Sequence, residues 1–203
     1  MNKKIIENHK RYLERVKLYQ RFGYDLEKER KNILDESLPI AGRILEAGTG
    51  KGHFALVLAK AGYQFITFDI SEEEQHIAKL NLAYFNVEKS VEYRIENGEH
   101  TSFGDNSFDT IFSVNVLHHL RNPYQVINEL IRLLAPKGKL VLADFTKKGF
   151  EVMDSIHSLE GNKHEVGKVG LKDMEEYLTK KGFSVKKANS VYQYVLIAGR
   201  GSI

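Results

Sequence analysis

The apolar positions of this 203-residue chain change period along its length. Over the first 22 residues, Ile5, Tyr12, Val16 and Tyr19 share one face of a helical wheel. Lys3, Lys10, Lys17 and Arg21 lie well away from it, with Glu7 and Glu14 interleaved at pairing distance. This predicts a docked amphipathic helix over 3–22, and a second helix follows over 25–36. From residue 43 onward, short β-branched or aromatic runs alternate with helical patterns, which is the signature of a parallel sheet. The predicted strands are 43–46, 65–68, 91–95, 110–114 and 139–143. Each gap except the third holds a helix. One spans 51–61 and stops at Gly62, a residue suited to the left-handed cap position. One opens at Ser71, with Glu74 three residues later as a capping box. One opens with Asn122 as cap and Pro123 in the first turn, and ends at the turn Ala135-Pro136-Lys137-Gly138. The tail predicts a helix over 172–181 and strands over 183–187 and 191–198. Together these elements predict a doubly wound, mostly parallel α/β sheet of seven strands with helices on both faces. Residues 1–40 form a helical N-terminal extension, 41–203 the main domain, and 146–170 a lid.

Composition narrows the picture. With 42% hydrophobic and 28% charged residues, the chain suits one domain with a substantial core. No apolar run approaches the roughly 18 residues of a membrane span, and the first residues lack the apolar stretch of a signal peptide, so a cytoplasmic protein is expected. The absence of cysteine excludes disulfides, cysteine-ligated metal and a cysteine nucleophile. Residues 1–40 carry 10 basic and 7 acidic side chains, so the other 163 hold 20 of each and sum to zero. No basic stripe supports a nucleic-acid footprint.

Sheets of this kind bind ligands outside the carboxyl ends of their strands. The first strand leads into Glu46-Ala47-Gly48-Thr49-Gly50-Lys51-Gly52 and the second into Asp69-Ile70. The third leads to Asn97-Gly98-Glu99, the fourth to Asn115, and the fifth to Asp144-Phe145. Glycines 48, 50 and 52 let a ligand approach the backbone closely. Asp69, 21 residues beyond Gly48, stands where a carboxylate can accept both hydroxyls of an adenosine ribose. A dinucleotide fingerprint starting at Gly48 needs glycine at 53, where the chain has His53; a P-loop needs Ser or Thr after Lys51, where it has Gly52. Both patterns fail. Glu46, pointing into the crevice, suits a ligand with an ammonium group better than a pyrophosphate, which it would repel.

At this point the chain resembles the class I S-adenosylmethionine-dependent methyltransferases, with their Rossmann-like fold, and in particular the small-molecule branch that includes ubiquinone and menaquinone biosynthesis enzymes. The supporting motifs are Ile44-Leu45-Glu46-Ala47-Gly48-Thr49-Gly50-Lys51-Gly52, Phe68-Asp69-Ile70-Ser71 and Asp105-Asn106-Ser107-Phe108-Asp109. They continue with Asn115-Val116-Leu117-His118-His119 and Leu134-Ala135-Pro136-Lys137-Gly138-Lys139-Leu140. The resemblance implies S-adenosylmethionine as cofactor, with S-adenosylhomocysteine as product. It implies that Glu46 and Gly48, Gly50 and Gly52 hold the methionine part, Asp69 the ribose, and Ile70 one adenine face. Asn97, Gly98 and Glu99 would border the adenine edge, and Asn115 would meet the methionine amine or carboxylate. Asn97 stands where the family commonly has aspartate; its side-chain carbonyl can accept the same hydrogen bond.

Methyl transfer to a small-molecule acceptor by direct in-line displacement is therefore the expected activity. An acceptor that loses a proton needs a base, and His118 and His119 are the candidates, His119 slightly ahead. Tyr19 and Tyr24, beside Phe22, are candidates to close over the cofactor and acceptor, and His157 and His164 to line the acceptor side. His157, His164 and Glu165 lack a recognised metal-ligand spacing, so no metal is expected. Asn115-Val116-Leu117-His118 lacks the Pro-Pro-aromatic run of enzymes that methylate nucleic-acid amino groups. Neither nucleic acid, membrane nor an obligate protein partner is expected. Alternatives are a non-catalytic adenosyl-binding sensor, a macromolecular methyltransferase and an NAD-dependent oxidoreductase. The acceptor atom and oligomeric state are not encoded in these motifs.

Overall fold

A computed structural model describes residues 2–161 and 166–201. His164 and Glu165, which the sequence assigns to the acceptor side, lie outside the described residues. The extension forms α1 (Lys3–Arg21) and α2 (Leu26–Glu36). The body then runs β1 (Ile44–Ala47), α3 (His53–Lys60), β2 (Phe65–Asp69), α4 (Glu72–Tyr84), β3 (Val91–Ile95) and β4 (Phe108–Val114). It continues with α5 (Pro123–Leu133), β5 (Leu134–Phe145), α6 (Lys147–Leu159), α7 (Leu171–Lys180), β6 (Ser184–Asn189) and β7 (Gln193–Gly199). Among the described residues no helix is long and apolar enough to cross a membrane.

Seven strands pair in the order β3-β2-β1-β4-β5-β7-β6. The first five are parallel, and β7 runs antiparallel to both β5 and β6. The order therefore reverses between β1 and β4, which opens a crevice at their carboxyl ends. Successive side chains alternate between faces. Ile44 of β1 packs with Phe54, Phe112, Val141 and Ile197 on the side covered by the extension, α3 and α6, whereas Leu45 and Ala47 join Leu130, Leu140 and Met174 on the side of α5 and α7. Glu46 points to the same face as Ile44, so a carboxylate is buried beside the extension.

The structure adds to or corrects the sequence reading at three places. The segment read as a lid begins as a regular helix, α6, with Thr146 accepting from the Gly149 N–H (3.1 Å) and Val152, Met153 and Ile156 buried. The run Ala135-Pro136-Lys137-Gly138, read as a turn, is the opening of β5. The ladder shifts register between Phe108 and Thr110 there, and such an irregularity accommodates a proline that has no N–H to donate. Asn122 precedes α5 as expected, but its side chain donates to Glu99 Oε1 (3.1 Å) instead of capping the helix.

The extension is fastened to the body by a buried polar joint. Tyr24 is fully buried, and its hydroxyl accepts from Arg30 Nη1 (2.9 Å) and from Gln193 Nε2 (2.9 Å). Asn115 turns its carbonyl to Arg30 Nη2 (2.8 Å) and its amide N–H to Gln193 Oε1 (2.8 Å). At the periphery, Ser190 donates to Glu29, Arg15 of α1 pairs with Glu160, and Lys139 donates to the carbonyls of Ser37 and Pro39.

Replacing Tyr24 with phenylalanine removes the shared acceptor of Arg30 and Gln193 while keeping the ring. Leaving buried donors unsatisfied costs about 1–3 kcal/mol. Urea denaturation should show that loss as a lower midpoint at unchanged slope; an unchanged midpoint would show that the joint contributes nothing.

Candidate active site

The carboxyl ends of β1, β2 and β4 bring most of the residues singled out from the sequence to one edge of the sheet. Gly48 leaves β1 at φ 89°, and a Cβ there would lie 2.3 Å from Val116 Cγ2, so the close pass of this loop under the β4 loop admits glycine alone. Gly52, also left-handed, begins α3 against α4, where a Cβ would lie 2.8 Å from Ala78 Cβ. Gly50 faces open space, which leaves its backbone accessible to a ligand.

Asp69 shapes this loop. Its Oδ2 accepts the Gly50 N–H (2.7 Å) and its Oδ1 the Ser71 N–H (2.9 Å), so both oxygens are aimed by the backbone and retain lone pairs for a diol. Ile70 next to it is 72% exposed, an apolar surface presented at the crevice. Asn97 spends its side-chain carbonyl on the Glu99 N–H (3.0 Å), a local turn that leaves its amide N–H groups as the outward-facing polarity. Gly98 lies against Val126 and Phe68, where a Cβ would meet Val126 Cγ1 at 3.4 Å.

Glu46 is only 1% exposed and accepts from the Thr67 hydroxyl (2.7 Å). Thr49 lies 2.7 Å from Thr67, and Gln75 donates to Thr49 (3.3 Å) and to the Arg94 carbonyl (2.9 Å), so a line of donors ends on the carboxylate. The backbone N–H of Ala55, in the first turn of α3, adds another. Burial outweighs these donors and, with the like charge of Asp69, pushes the Glu46 pKa up to about 8; Arg30 opposes the rise. Arg30, itself 7% exposed, has no carboxylate within 4 Å among the described residues. An acidic and a basic side chain are thus buried near the same loop without forming an ion pair with each other.

Beyond β4, Asn115 adopts a left-handed backbone (φ 57°), its N–H bonded to the Ala143 carbonyl (2.8 Å). The chain then forms a 3₁₀ turn, Leu117–His119. His118 is buried, with Nδ1 2.6 Å from Asp144 Oδ1 at the end of β5. Asp144 is held in turn by the backbone N–H of His118 (3.1 Å) and its own neighbour Phe145 (2.8 Å). The His118 ring is flanked by Phe145 (5.5 Å) and Phe150 (5.4 Å) and touches the exposed His119 ring (3.9 Å).

Tyr19 and Tyr24 meet edge to face at 5.7 Å, and Tyr24 also meets Phe145 (6.1 Å) and Tyr192 (5.4 Å). Because the Tyr24 hydroxyl is consumed in the joint, this residue is a wall. His157 sits half-buried in the last turn of α6. Among the described residues no cluster of three or more His, Asp or Glu side chains has metal-ligating geometry. Sequence reasoning missed Arg30, Thr67, Asp144 and Gln193. Of these, only Asp144 carried a signal, its position directly after a strand.

The reversal of strand order, the glycine loop and Asp69 define a doubly wound α/β domain with a crevice at the carboxyl ends of its strands. Residues 45–142, just under half of the chain, match the family model described as a methyltransferase domain. The similarity of this segment is thus to methyltransferase domains. The chain is 29% identical over 157 residues to 27-O-demethylrifamycin SV methyltransferase of Amycolatopsis mediterranei, covering 75% of this chain and 57% of that one. It is 30% identical over 120 residues to ubiquinone biosynthesis O-methyltransferase of Xanthomonas oryzae pv. oryzae, covering 58% and 49%. The chain thus spans about half the length of these relatives. In fold it is similar to a crystal structure of a putative S-adenosyl-L-methionine-dependent methyltransferase from Methanococcus maripaludis, with TM-score 0.69, 19% identity and coverage of 92% and 88%.

The raised Glu46 pKa fixes a sign. The folded protein holds a proton that the unfolded chain releases above about pH 4.5, so this group's contribution is full below that value and declines as pH rises toward 8. The stability difference between wild type and Glu46→Gln should therefore shift in favour of the glutamine variant by up to about 1.4 kcal/mol per pH unit across this window. Urea midpoints at pH 5.5 and 7.5 test this; a difference independent of pH contradicts it.

Proposed function

We propose that this protein transfers a methyl group from S-adenosylmethionine to a small-molecule acceptor in the cytoplasm. The observation that carries the proposal is the placement of the Glu46, glycine-loop and Asp69 cradle beside the buried His118–Asp144 pair, on adjoining strands of one crevice. The cradle fits the cofactor: a backbone-aimed carboxylate for a diol, an exposed apolar side chain beside it, and a buried carboxylate for an ammonium group. Asp69 would hold the ribose, Ile70 one adenine face, Gly98 and Glu99 the adenine edge, and Asn97 its polar groups through N–H donors. Glu46 and the Gly48, Gly50 and Gly52 backbone would hold the methionine part, with Arg30 and Asn115 on its other side. When bound, the cofactor supplies an already activated methyl on a sulfonium sulfur.

The chain's own contribution is alignment and proton removal. Positioning two reactants can supply about 7–11 kcal/mol in favourable cases. Asp144 keeps His118 in the tautomer that carries its proton on Nδ1, so Nε2 is the basic nitrogen. His118 is held for that task more firmly than the exposed His119, reversing the order suggested by sequence. Asp144 is a positioning residue. Tyr19, Tyr24 and the aromatic rings of Phe145, Phe150 and Tyr192 exclude water from the same side, with His157 and His164 as further candidates to meet the acceptor. The two curated relatives are named for oxygen methylation or for a small natural product, which supports a small-molecule acceptor for this chain.

Thermal unfolding with S-adenosylhomocysteine and with NAD at equal concentration tests the cofactor. At a hundred times its dissociation constant a ligand adds about 2.7 kcal/mol, a rise of roughly 6 °C for a chain of this size. S-adenosylhomocysteine should produce that rise and NAD none; the opposite result would refute the assignment. Asp69→Ala should weaken S-adenosylhomocysteine binding by about 1.5–3 kcal/mol, or roughly ten- to 150-fold by calorimetry.

Turnover of the best acceptor in a panel of phenols, enols and amines tests the base. His118→Ala should lower kcat by about 10²–10⁴-fold with S-adenosylhomocysteine affinity nearly unchanged, and His119→Ala should leave most activity. Full activity in His118→Ala would remove the base from the mechanism.

A further inference from the structure

A cavity of about 540 Å³ lies between α1, α2 and α3, outside the crevice at the carboxyl ends of the strands. Its floor is apolar, built from Leu26 and Leu34 of α2 and Leu56 and Val57 of α3. One wall is aromatic. Tyr12 and His53 line it with ring centroids 5.7 Å apart, and they end a column that continues through His9 to Tyr84, with spacings of 5.8 and 3.4 Å. His53 Nδ1 is buried without a hydrogen-bond partner among the described residues. Burial, together with the positive charges of Arg30, Lys51 and Arg15, holds the ring neutral, with its pKa down at about 3.

The rim is charged, and its acids are already engaged. Asp25 accepts the Lys28 N–H (3.0 Å) as the cap of α2, and Glu27 accepts the Tyr12 hydroxyl (3.1 Å) and faces Lys60 (3.8 Å). Lys31 pairs with Asp35 (2.5 Å). Lys28 has no carboxylate within 4 Å among the described residues, so its ammonium is the rim charge open to an incoming anion.

We propose that this cavity is a second ligand site, for a small flat aromatic molecule carrying one carboxylate or sulfonate. Its volume falls in the range of about 300–1,000 Å³ that small ligands use. The aromatic body stacks along the Tyr12–His53 wall over the leucine and valine floor, and the anion meets Lys28 at the rim. The site is mechanically joined to the glycine loop. His53 follows Gly52 directly, and Asn81, which accepts from Asn8 of α1 (2.7 Å), donates to the Lys51 carbonyl (2.8 Å). Occupancy therefore changes the affinity of that loop for its own ligand, and by reciprocity the reverse. This last step rests on the cofactor reading; binding in the cavity does not.

The probe is 1-anilinonaphthalene-8-sulfonate, an aromatic sulfonate whose fluorescence rises in apolar surroundings, titrated into the full chain. One saturable site is expected. Lys28→Glu reverses the rim charge at an exposed position, and Val57→Trp fills the floor; each should raise the dissociation constant about tenfold or more. The rim variant keeps the test valid where tryptophan disturbs packing. Saturating S-adenosylhomocysteine should shift the dye's dissociation constant a fewfold without abolishing binding. Absence of saturable binding, full displacement by S-adenosylhomocysteine, or an unchanged constant in Lys28→Glu would overturn the proposal. Dye binding that persists where S-adenosylhomocysteine fails to bind would keep the cavity and refute only the cofactor reading.

Discussion

A buried guanidinium governs how this protein is assembled. Taking an unpaired cation out of water costs several kcal/mol unless its donors are satisfied. Arg30 finds its acceptors only where α2, the end of β4 and the start of β7 converge: Tyr24, six residues before it, and Asn115, itself tied to Gln193. The extension must dock in that one place. Its apolar face could slide over the sheet with modest loss, because hydrophobic burial is non-directional. The Arg30 hydrogen bonds are directional and fix its register. They also fix Asn115, which holds the left-handed turn from which the His118 segment departs.

The consequence is electrostatic as well as mechanical. Glu46 and Arg30 are buried around one loop, and each stays uncompensated by the other. Glu46 responds by retaining its proton far above the ordinary carboxylate range. A zwitterionic ligand lying between them would satisfy both. Its ammonium would favour the ionised form of Glu46, and the hydroxyls of Thr67 and Thr49 already point along the line that supports this form. Asp69 is different in kind. It is partly exposed, oriented by two backbone N–H groups, and suited to accept hydrogen bonds more than to balance charge.

What the sequence made legible follows from local rules. The helix periods, the Ser71 cap, the left-handed Gly62 and the glycine loop are encoded within a few residues of where they act, and the structure has each of them. The crevice residues Glu46, Asp69 and Asn115 were readable because each stands at the carboxyl end of a strand or directly after it. Interactions formed across long separations were not. Tyr24 meets Gln193, 169 positions away, and His118 meets Asp144, 26 away; neither spacing marks a pair. The early start of β5 was hidden because Pro136 and Gly138 carry the composition of a turn, and only the register shift opposite them reveals a strand. Helix α6 was hidden because the whole of 146–170 was read as a lid, although Val152, Met153 and Ile156 recur at helical spacing within it.

The division of labour between the two halves of the sheet follows from the strand order. The ends of β1, β2 and β3 carry the glycine loop, Asp69 and the Asn97 turn. The ends of β4 and β5 carry Asn115 and the buried His118–Asp144 pair. The order reverses between β1 and β4, so the chain leaves these two strands toward opposite halves of the sheet. The close approach of Gly48 to Val116 marks the seam, and no side chain at position 48 could fit there. The extension is tied to the end of α6 through the Arg15–Glu160 pair and to the end of β5 through the packing of Tyr24 on Phe145.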